Sequence, residues 1–426
     1  MLKKFTTFIK HPTSIHVLIN TLGNYLNTAF TAVFALILVR IMTPVEYGVL
    51  GVLLGISYVL ANVFDFGTTA TIYSYFPQLR ERDHPSTMSF IKTLFLFQTV
   101  FAGVAIIALG LSFQWLDNVF FKTGSDASIT IVLFVGVLLF IWQNFATNVL
   151  LAAKQFMKVN IYVNLSNAVK LIGLVYLWRT SQVSSYSVLA MFGIVGSFGF
   201  IIPLLLENRS VLERVWSSRI DRSSLKLRYT VTYFASMQLY NLAQRMDLFL
   251  LSYFGLRHEL GYYTLAQKIV LTIATFSVSV TQVLSPLFSR AERKSDVRKL
   301  LKPSFLYLSI PAVMYLLLSV TPDWIFQVFF TEKFIIASHV AKQLALPYII
   351  FTYENMLFLF TLYTIKQPKY MLITNFIFFL GMTGGCLALI PEFGIQGPIW
   401  TLTGTVTLST IILLFITSYE YKKLPQ

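Results

Sequence analysis

Apolar stretches of about 20 residues recur from one end of this chain to the other, separated by short polar breaks. An α-helix needs about that length to cross a hydrocarbon layer roughly 30 Å thick. A helix also satisfies its own backbone hydrogen bonds where lipid excludes water. The pattern predicts an all-α, polytopic membrane protein. The twelve predicted spanning helices are 15–39, 45–64, 88–112, 127–152, 157–178, 185–205, 229–254, 263–289, 304–321, 337–362, 368–390 and 395–418.

The low charge content excludes a water-soluble domain as the main architecture. Only 12% of the 426 residues are charged, whereas soluble domains carry roughly a quarter. A formal net charge of +15 would fit nucleic-acid binding if it lay on a water-exposed domain, but no such domain is predicted. We therefore expect membrane lipids, and no nucleic acid, as partners.

Sequence motifs of enzymes are missing from the chain. There is no Walker sequence, no His pair at metal-binding spacing and no nucleophile elbow, and the five His residues are scattered. The lone Cys386 lies in an apolar run and is expected to be a packing residue. The sequence predicts a protein that is not an enzyme and that holds no cofactor or metal.

The distribution of basic residues gives an independent test of the helix count. With these boundaries, 23 Lys and Arg residues fall in loops on one side of the membrane and 5 on the other. Cytoplasmic loops carry the excess of Lys and Arg, so both termini are predicted to be cytoplasmic. The first apolar stretch is too long for a signal peptide and ends at Arg40 without a small-residue cleavage site, so it is predicted to stay as a spanning helix.

A long basic loop near the midpoint, 206–228, divides the predicted helices into two sets of six. The segment Glu46-Tyr47-Gly48 follows the first helix, and Glu259-Leu260-Gly261 follows the seventh, at an offset of 213 residues. An even number of helices per repeat gives both copies the same orientation in the membrane. We predict two six-helix lobes, 1–215 and 216–426.

Five basic residues remain within the predicted helices. Lys92 lies near a cytoplasmic end and is expected to extend its ammonium to the interface. The others lie at middle or outer depth, where a charge costs at least about 2.5 kcal/mol unless it faces water or a partner. One interpretation is that Lys268 and Lys342 extend outward to the interface while Lys170 and Arg245 pair with carboxylates, and the other is that all four line a hydrated cavity. These four residues are Lys170, Arg245, Lys268 and Lys342.

Three helices also carry rows of amide side chains at helical spacing, which places each row on one helix face. Single amides of this kind commonly join helices, at roughly 0.6 kcal/mol per bond. Three long rows, two of them ending in a cation, favour a hydrated cavity with sugar-binding amides. The rows are Asn20, Asn24 and Asn27; Asn160, Asn164 and Asn167, followed by Lys170; and Gln238 and Asn241, followed by Arg245.

Three acidic residues in apolar surroundings are predicted to take part in ion coupling: Asp65, Asp247 and Glu354. Asp247 is two residues from Arg245, so the two side chains point to different sides of a helix and each needs a partner elsewhere. Glu354 lies well inside the tenth predicted helix. A carboxylate there either pairs with a buried cation or carries a coupling proton, and the sequence leaves both open.

Two segments resemble a known transporter family. Arg40-Ile-Met-Thr-Pro-Val-Glu-Tyr-Gly48, with Asp65-Phe-Gly67 one helix later, is similar to the opening hairpin of the Wzx-type polysaccharide flippases, the RfbX-like polysaccharide biosynthesis group. The segments from Asp247 to Ala266 and Ser285-Pro-Leu287 look like the second half of the same pattern. This group belongs to the multidrug/oligosaccharidyl-lipid/polysaccharide (MOP) exporter superfamily, so the resemblance implies a MATE-like fold.

The resemblance implies a flippase of the bacterial inner membrane. Its cargo would be an undecaprenyl-diphosphate-linked oligosaccharide such as an O-antigen unit, moved to the outer leaflet by alternating access coupled to H⁺ or Na⁺. Polymerase and chain-length proteins of the same pathway would be its partners. We expect Lys170 and Arg245 to hold the diphosphate. Many relatives carry an Arg after the Asp-x-Gly motif where this chain has Ser74 and Tyr75, so a head-group role for that Arg does not transfer.

Three other functions compete with this interpretation. A multidrug or metabolite exporter of the same superfamily would need an anionic or apolar cavity. Four intramembrane cations and only three carboxylates argue against such a cavity. A membrane glycan polymerase would need a catalytic constellation that the sequence lacks. A scaffold for a glycan-assembly complex would use the basic cytoplasmic loops as docking surfaces.

Overall fold

The computed structural model describes residues 12–81, 86–221, 227–289, 291–365 and 367–425. Within these residues the chain is almost wholly helical, and no strand is present. The helices are α1 (Pro12–Ile41), α2 (Pro44–Asp65), α3 (Thr68–Glu81), α4 (Thr87–Phe121), α5 (Ala127–Ala152), α6 (Phe156–Arg179), α7 (Ser185–Glu207), α8 (Arg209–Ser217), α9 (Leu227–Tyr253), α10 (Arg257–Ser289), α11 (Lys294–Val320), α12 (Asp323–Phe330), α13 (Glu332–Thr364), α14 (Pro368–Phe393) and α15 (Gln396–Lys423).

Each predicted span coincides with one long helix, which confirms the prediction of an all-α membrane fold. In the described part of the chain, nine helices are long and apolar enough to cross a membrane. The other long helices are α1, of which Tyr25–Ile41 is apolar, α9 and α10. All three carry polar side chains singled out in the sequence.

Three shorter helices, α3, α8 and α12, were not predicted. The break between α2 and α3 is made by Phe66 and Gly67, whose φ angles are 44° and 75°. This left-handed turn redirects the chain after Asp65, and the Asp65 carboxylate caps the new helix by accepting hydrogen bonds from Thr68 Oγ1 (2.9 Å) and Thr69 Oγ1 (2.8 Å). The polar segment 66–81, predicted as a break, is therefore mostly helix.

The chain forms two compact units. The first contains the described residues up to Ile37, Leu53–Val119 and Thr123–Ala235. Here α5 and α7 approach closely at a pair of glycines, since a methyl group on Gly193 would lie 3.0 Å from Gly136 Cα. Gly193 belongs to a π-helical turn, Met191–Val195, within α7. Small residues allow such close backbone packing between membrane helices.

The second unit contains Leu38–Val52, Phe120–Lys122 and the residues from Ser236 onward. The turn between α1 and α2 is held here by the Lys333 ammonium, which donates to the carbonyls of Arg40 (3.0 Å) and Met42 (2.8 Å). Tyr47 packs edge-on against Phe334, with ring centroids 5.7 Å apart. Deeper in the unit, the buried Tyr315 hydroxyl donates to the Val270 carbonyl at 2.8 Å, joining α11 to α10.

Candidate functional site

Lys170 lies near the middle of α6, about 21 Å along the helix axis from Phe156 and about 14 Å from Arg179. No carboxylate or other hydrogen-bond partner of its ammonium is found among the described residues. An intramembrane ammonium is costly unless water or an anion is near. In the first unit, Lys170 is therefore a cation whose charge the described residues leave unbalanced.

The position of the Lys170 side chain is set by a glycine of the neighbouring helix. Its methylene groups pass over Gly196, because a methyl group built there would lie 2.8 Å from Lys170 Cγ and 2.9 Å from Cδ. Gly196 directly follows the π-helical turn of α7, and its carbonyl accepts a hydrogen bond from Ser166 Oγ at 2.6 Å. The α6–α7 contact thus leaves a groove for the lysine that any larger residue at Gly196 would fill.

Two of the predicted amide rows meet in the first unit. Asn167 Nδ2 on α6 donates to Asn27 Oδ1 on α1 at 2.7 Å, and the Asn160 side chain packs against Gly23 of α1. Asn164 donates to the Asn160 carbonyl at 2.8 Å, while its own Oδ1 is buried without a hydrogen bond among the described residues. These amides join α1 to α6, and Asn164 keeps an unused acceptor about 9 Å along the helix axis from Lys170. The side chain of Asn24 lies outside the described part of the structure.

In the second unit, Gln267 of α10 connects Arg245 and Asp247 of α9. Arg245 donates to Gln267 Oε1 at 3.0 Å, and Gln267 Nε2 donates to Asp247 Oδ2 at 2.8 Å. One amide therefore contacts both charged groups, which agrees with the expectation that they do not pair directly. Sequence analysis did not single out Gln267, because its partners lie on another helix.

The Asp247 carboxylate is buried and has donors on both oxygens. Tyr263 donates to Oδ2 at 2.8 Å, and the Leu248 amide donates to Oδ1 at 2.7 Å. A buried carboxylate surrounded by donors is held rigidly. Asp247 thus fixes Gln267 and, through it, Arg245.

Lys268 follows Gln267 in α10, and its side chain is exposed. It lies close enough to Arg245 for the two positive charges to repel one another. Asn241 and Gln238, one and two turns before Arg245 in α9, are half-buried. The second unit therefore presents a pair of neighbouring cations beside amide groups.

Lys342 forms an ion pair within the protein. Its ammonium lies 2.6 Å from Asp323 Oδ1, an oxygen that Ser338 Oγ also reaches at 2.6 Å. Asp323 starts α12, outside the spanning helices, and the Lys342 ammonium and the Ser338 hydroxyl lower the pKa of its carboxyl. The pair satisfies Lys342 within the protein, whereas the sequence had suggested either the interface or a cavity for this residue.

Glu354 lies in a small cavity between α9, α13, α14 and α15. The carboxylate is only 2% exposed. Oε1 accepts a hydrogen bond from Ser409 Oγ at 2.6 Å. Oε2 accepts none among the described residues. The neighbouring Thr410 hydroxyl of α15 is likewise buried without a hydrogen bond there. The remaining cavity lining is Tyr240, Phe351, Phe358, Thr374, Asn375 and Phe378.

A buried charged carboxylate is stable only when it is paired or neutralised. The Glu354 cavity contains polar groups but no basic side chain among its lining residues. It can therefore accept a proton or a small cation. In the described residues, no group of three or more His, Cys, Asp or Glu side chains lies close enough to hold a metal ion.

Asp65, the third acidic candidate, occupies the turn between α2 and α3. Besides Thr68 and Thr69, it is approached by Gln98 Nε2 at 3.5 Å. Nearby, Asn148 Nδ2 donates to Thr69 Oγ1 at 2.7 Å and its Oδ1 accepts from Tyr73 at 3.1 Å. The contacts of Asp65 are those of a helix cap within a polar network.

The family model described as "Polysaccharide biosynthesis protein" matches residues 16–292 of this chain. That range extends from α1 to the end of α10, which includes Lys170, Arg245 and Asp247. No curated protein matches the chain.

Several solved structures have the same fold. "Lipid II flippase MurJ, inward closed conformation" has a TM-score of 0.72 and 13% identity, covering 94% of this chain and 87% of that chain. An inward-facing multidrug resistance MATE family transporter of the MOP superfamily has a TM-score of 0.73 and 12% identity, covering 95% of each chain. The MATE multidrug transporter DinF-BH has a TM-score of 0.71 and 14% identity, covering 96% of each chain.

Proposed function

This chain belongs to the polysaccharide biosynthesis protein family and has the fold of MOP-superfamily transporters, and from that premise we propose that it flips a polyprenyl-diphosphate-linked oligosaccharide across the membrane. The structural neighbours are named as a lipid II flippase and multidrug transporters. The family description favours a glycan cargo over a drug. The proposed direction is from the cytoplasmic to the outer leaflet of a bacterial inner membrane, with both termini in the cytoplasm.

The observation that carries this proposal is that Lys170, in the middle of a spanning helix, has no counter-charge in the part of the chain that the structure describes. A diphosphate is strongly disfavoured in hydrocarbon, whereas its polyprenyl tail is already soluble there. A flippase therefore needs a cationic, hydrated passage for the head group alone. Lys170 supplies a positive charge at the depth where lipid opposes the anion most strongly.

The second unit has its own pair of candidate contacts for an anionic head group. Arg245 presents a guanidinium held by Gln267, and Lys268 lies close to it. Two adjacent cations repel one another until an anion binds, so a diphosphate group would be favoured at this position. Amide side chains would contact the sugars. They are the half-buried Gln238 and Asn241 in the second unit, and Asn164 and Asn167 on α6 in the first. Lys342 is already paired with Asp323. It would add to the positive electrostatic potential of the second unit but would not contact the substrate directly.

Energy for transport would come from an ion gradient through Glu354. Its cavity holds a carboxylate oxygen without a hydrogen bond among the described residues, next to hydroxyl and amide groups. Binding and release of H⁺ or Na⁺ there would change the packing of α9, α13, α14 and α15. The change would favour either the inward-facing or the outward-facing conformation.

The diphosphate role is tested with Lys170→Ala in proteoliposomes that contain a fluorescently labelled polyprenyl-diphosphate disaccharide. Transfer to the opposite leaflet is read as loss of fluorescence after addition of an impermeant quencher. We expect transfer to fall to the protein-free rate. Lys170→Arg should retain part of the activity because it keeps the charge.

Lys158→Ala is the matched control. Lys158 lies near the start of the same helix, and its ammonium is paired with Glu207 at 2.6 Å. It should transfer the labelled lipid at the wild-type rate. Wild-type transfer by Lys170→Ala would reject the diphosphate contact. Loss of transfer in Lys158→Ala as well would indicate general damage to α6 instead.

The coupling role is tested with Glu354→Gln, which keeps an acceptor for Ser409 but cannot ionise. We expect the variant to transfer lipid at a rate that no longer responds to imposed H⁺ or Na⁺ gradients. Ser409→Ala, which retains the carboxylate, should still respond. A Glu354→Gln protein with the full gradient response would remove Glu354 from the coupling mechanism.

A second candidate is a multidrug exporter, favoured by the fold shared with MATE transporters. Such a protein would export organic cations, which the positive charge of Lys170 repels. Uptake of a fluorescent organic cation into the same vesicles separates the two functions. The flippase proposal expects transfer of the labelled lipid and no accumulation of the cation.

A further inference from the structure

A short amphipathic segment follows the first six spanning helices. Helix α8 and the residues after it bury Val215 and expose Trp216 (53%) and Ile220 (59%). Arg214 and Arg219 are exposed in the same segment. Large apolar and cationic side chains are thus exposed together within the stretch 214–220.

Hydrogen bonds hold this segment against the start of α4. Lys92 donates to the carbonyls of Trp216 (2.5 Å) and Ser218 (2.7 Å). Ser89 donates to the Arg219 carbonyl at 2.6 Å, and the Asp221 amide donates to Thr93 Oγ1 at 2.9 Å. The backbone of the segment is therefore fixed relative to a spanning helix.

These contacts determine the depth of the segment in the membrane. Its partners on α4 lie about 3 to 9 Å along the helix from Thr87, where α4 begins. Residues 216–221 therefore lie beside the first turns of this spanning helix, and the ends of a spanning helix are where the lipid interface is expected. Trp216 packs edge-on against Phe95 at 6.1 Å between ring centroids, which leaves the rest of its ring exposed at a depth where tryptophans are enriched.

The exposed arginines of the segment differ in their partners. Arg209 forms an ion pair with Glu213 at 3.0 Å. Arg214 and Arg219 have no acidic partner among the described residues. Their guanidinium groups remain available to an external anion, and a guanidinium binds a phosphate through two parallel hydrogen bonds.

We propose that residues 214–220 form a binding surface for the phosphate head groups of anionic phospholipids in the leaflet next to the basic loops. Arg214 and Arg219 bind the phosphate, and Trp216 and Ile220 contact the upper part of the acyl chains. This combination of basic and aromatic residues at the interface is what an anionic lipid surface recognises. The proposal is independent of the transported substrate.

The test uses the full-length protein in detergent, titrated with phosphatidylglycerol or with phosphatidylcholine, and native mass spectrometry to measure lipid binding. Wild-type protein should bind phosphatidylglycerol in preference to phosphatidylcholine. Arg214→Gln and Arg219→Gln should each weaken phosphatidylglycerol binding by about fivefold. Lipid labelled with bromine near the head group should quench wild-type tryptophan fluorescence more than that of Trp216→Phe.

A double variant near the start of α11, Arg298→Gln with Lys299→Gln, removes the same kind of exposed charge and should bind phosphatidylglycerol as the wild type does. Inorganic phosphate at millimolar concentration should not displace the lipid. Unchanged binding in both arginine variants, equal weakening in the control variant, or displacement by phosphate alone would overturn the proposal.

Discussion

Gly48 packs directly against Gly261, its counterpart 213 residues later in the sequence repeat. Each is the fifth residue of its helix, α2 or α10. A methyl group on Gly48 would lie 2.7 Å from the Gly261 nitrogen. The next turn repeats the relationship, since a methyl group on Gly51 would lie 2.6 Å from Thr264 Oγ1, again 213 residues later. Equivalent turns of the two repeats thus contact each other within the second unit.

The contact predicts that Gly48→Ala destabilises the protein. The obstacle is backbone, which cannot move aside as a flexible side chain can, so we expect a loss of about 1–3 kcal/mol. Thermal unfolding in detergent would show this as a lower midpoint. Gly103→Ala is the control, because nothing lies within 4 Å of the added methyl group, and it should leave the midpoint unchanged or slightly higher. Equal midpoints for both variants would contradict the assigned contact.

Gly196→Ala should reduce transport while leaving the protein folded. The added methyl group would occupy the space of the Lys170 methylene groups, and a long, flexible lysine can move aside at little cost to stability. We expect lipid transfer to fall several-fold in the proteoliposome assay with normal yield of folded protein. Gly384→Ala, with no atom within 4 Å of the new methyl group, should transfer lipid normally. Wild-type activity of Gly196→Ala would mean that the exact position of Lys170 is unimportant.

Asp247→Asn should destabilise the second unit. Both carboxylate oxygens accept hydrogen bonds, from the Leu248 amide and from Tyr263 with Gln267. In asparagine, the NH₂ group replaces one carboxylate oxygen and would face a hydrogen-bond donor. The unmade hydrogen bond would cost about 1–3 kcal/mol of folding stability. Thermal unfolding measures the loss. If Asp247 carried a coupling ion instead, the substitution would alter gradient dependence with little change in stability, so measuring both properties distinguishes the roles.

The ion pair between Asp323 and Lys342 should make stability depend on pH in the acid range. Lys342 lowers the pKa of the Asp323 carboxyl in the folded protein, so the stabilisation is present above the carboxyl pKa of the unfolded chain, about 3.9. It is lost as the pH falls through the lower folded value. The unfolding midpoints of wild type and Asp323→Asn should therefore differ at neutral pH and converge in acid. A constant difference down to the lowest pH would show that the pair is not the cause.

Much of the architecture could be predicted from local sequence, because a membrane helix is recognised by its own length and hydropathy. Helices α3, α8 and α12 were missed since they are short and polar or amphipathic. A signal for α8 was present, in Arg209 and Glu213 at i, i+4 with apolar residues on the opposite face. Gly67 and Gly255, both at positive φ, mark turns that the sequence could locate but not orient.

The sequence by itself determined the spanning helices, the excess of basic loop residues on one side and the existence of cations and carboxylates within the spans, since each depends on residues close together in the chain. Only the tertiary structure decided their partners. Lys342 is paired with Asp323, Arg245 is held by Gln267, and Lys170 has no counter-charge among the described residues. A buried charge is stabilised or left unbalanced by groups on neighbouring helices. The packing of those helices depends on contacts between distant segments, such as a single glycine, so it cannot be predicted from any one segment.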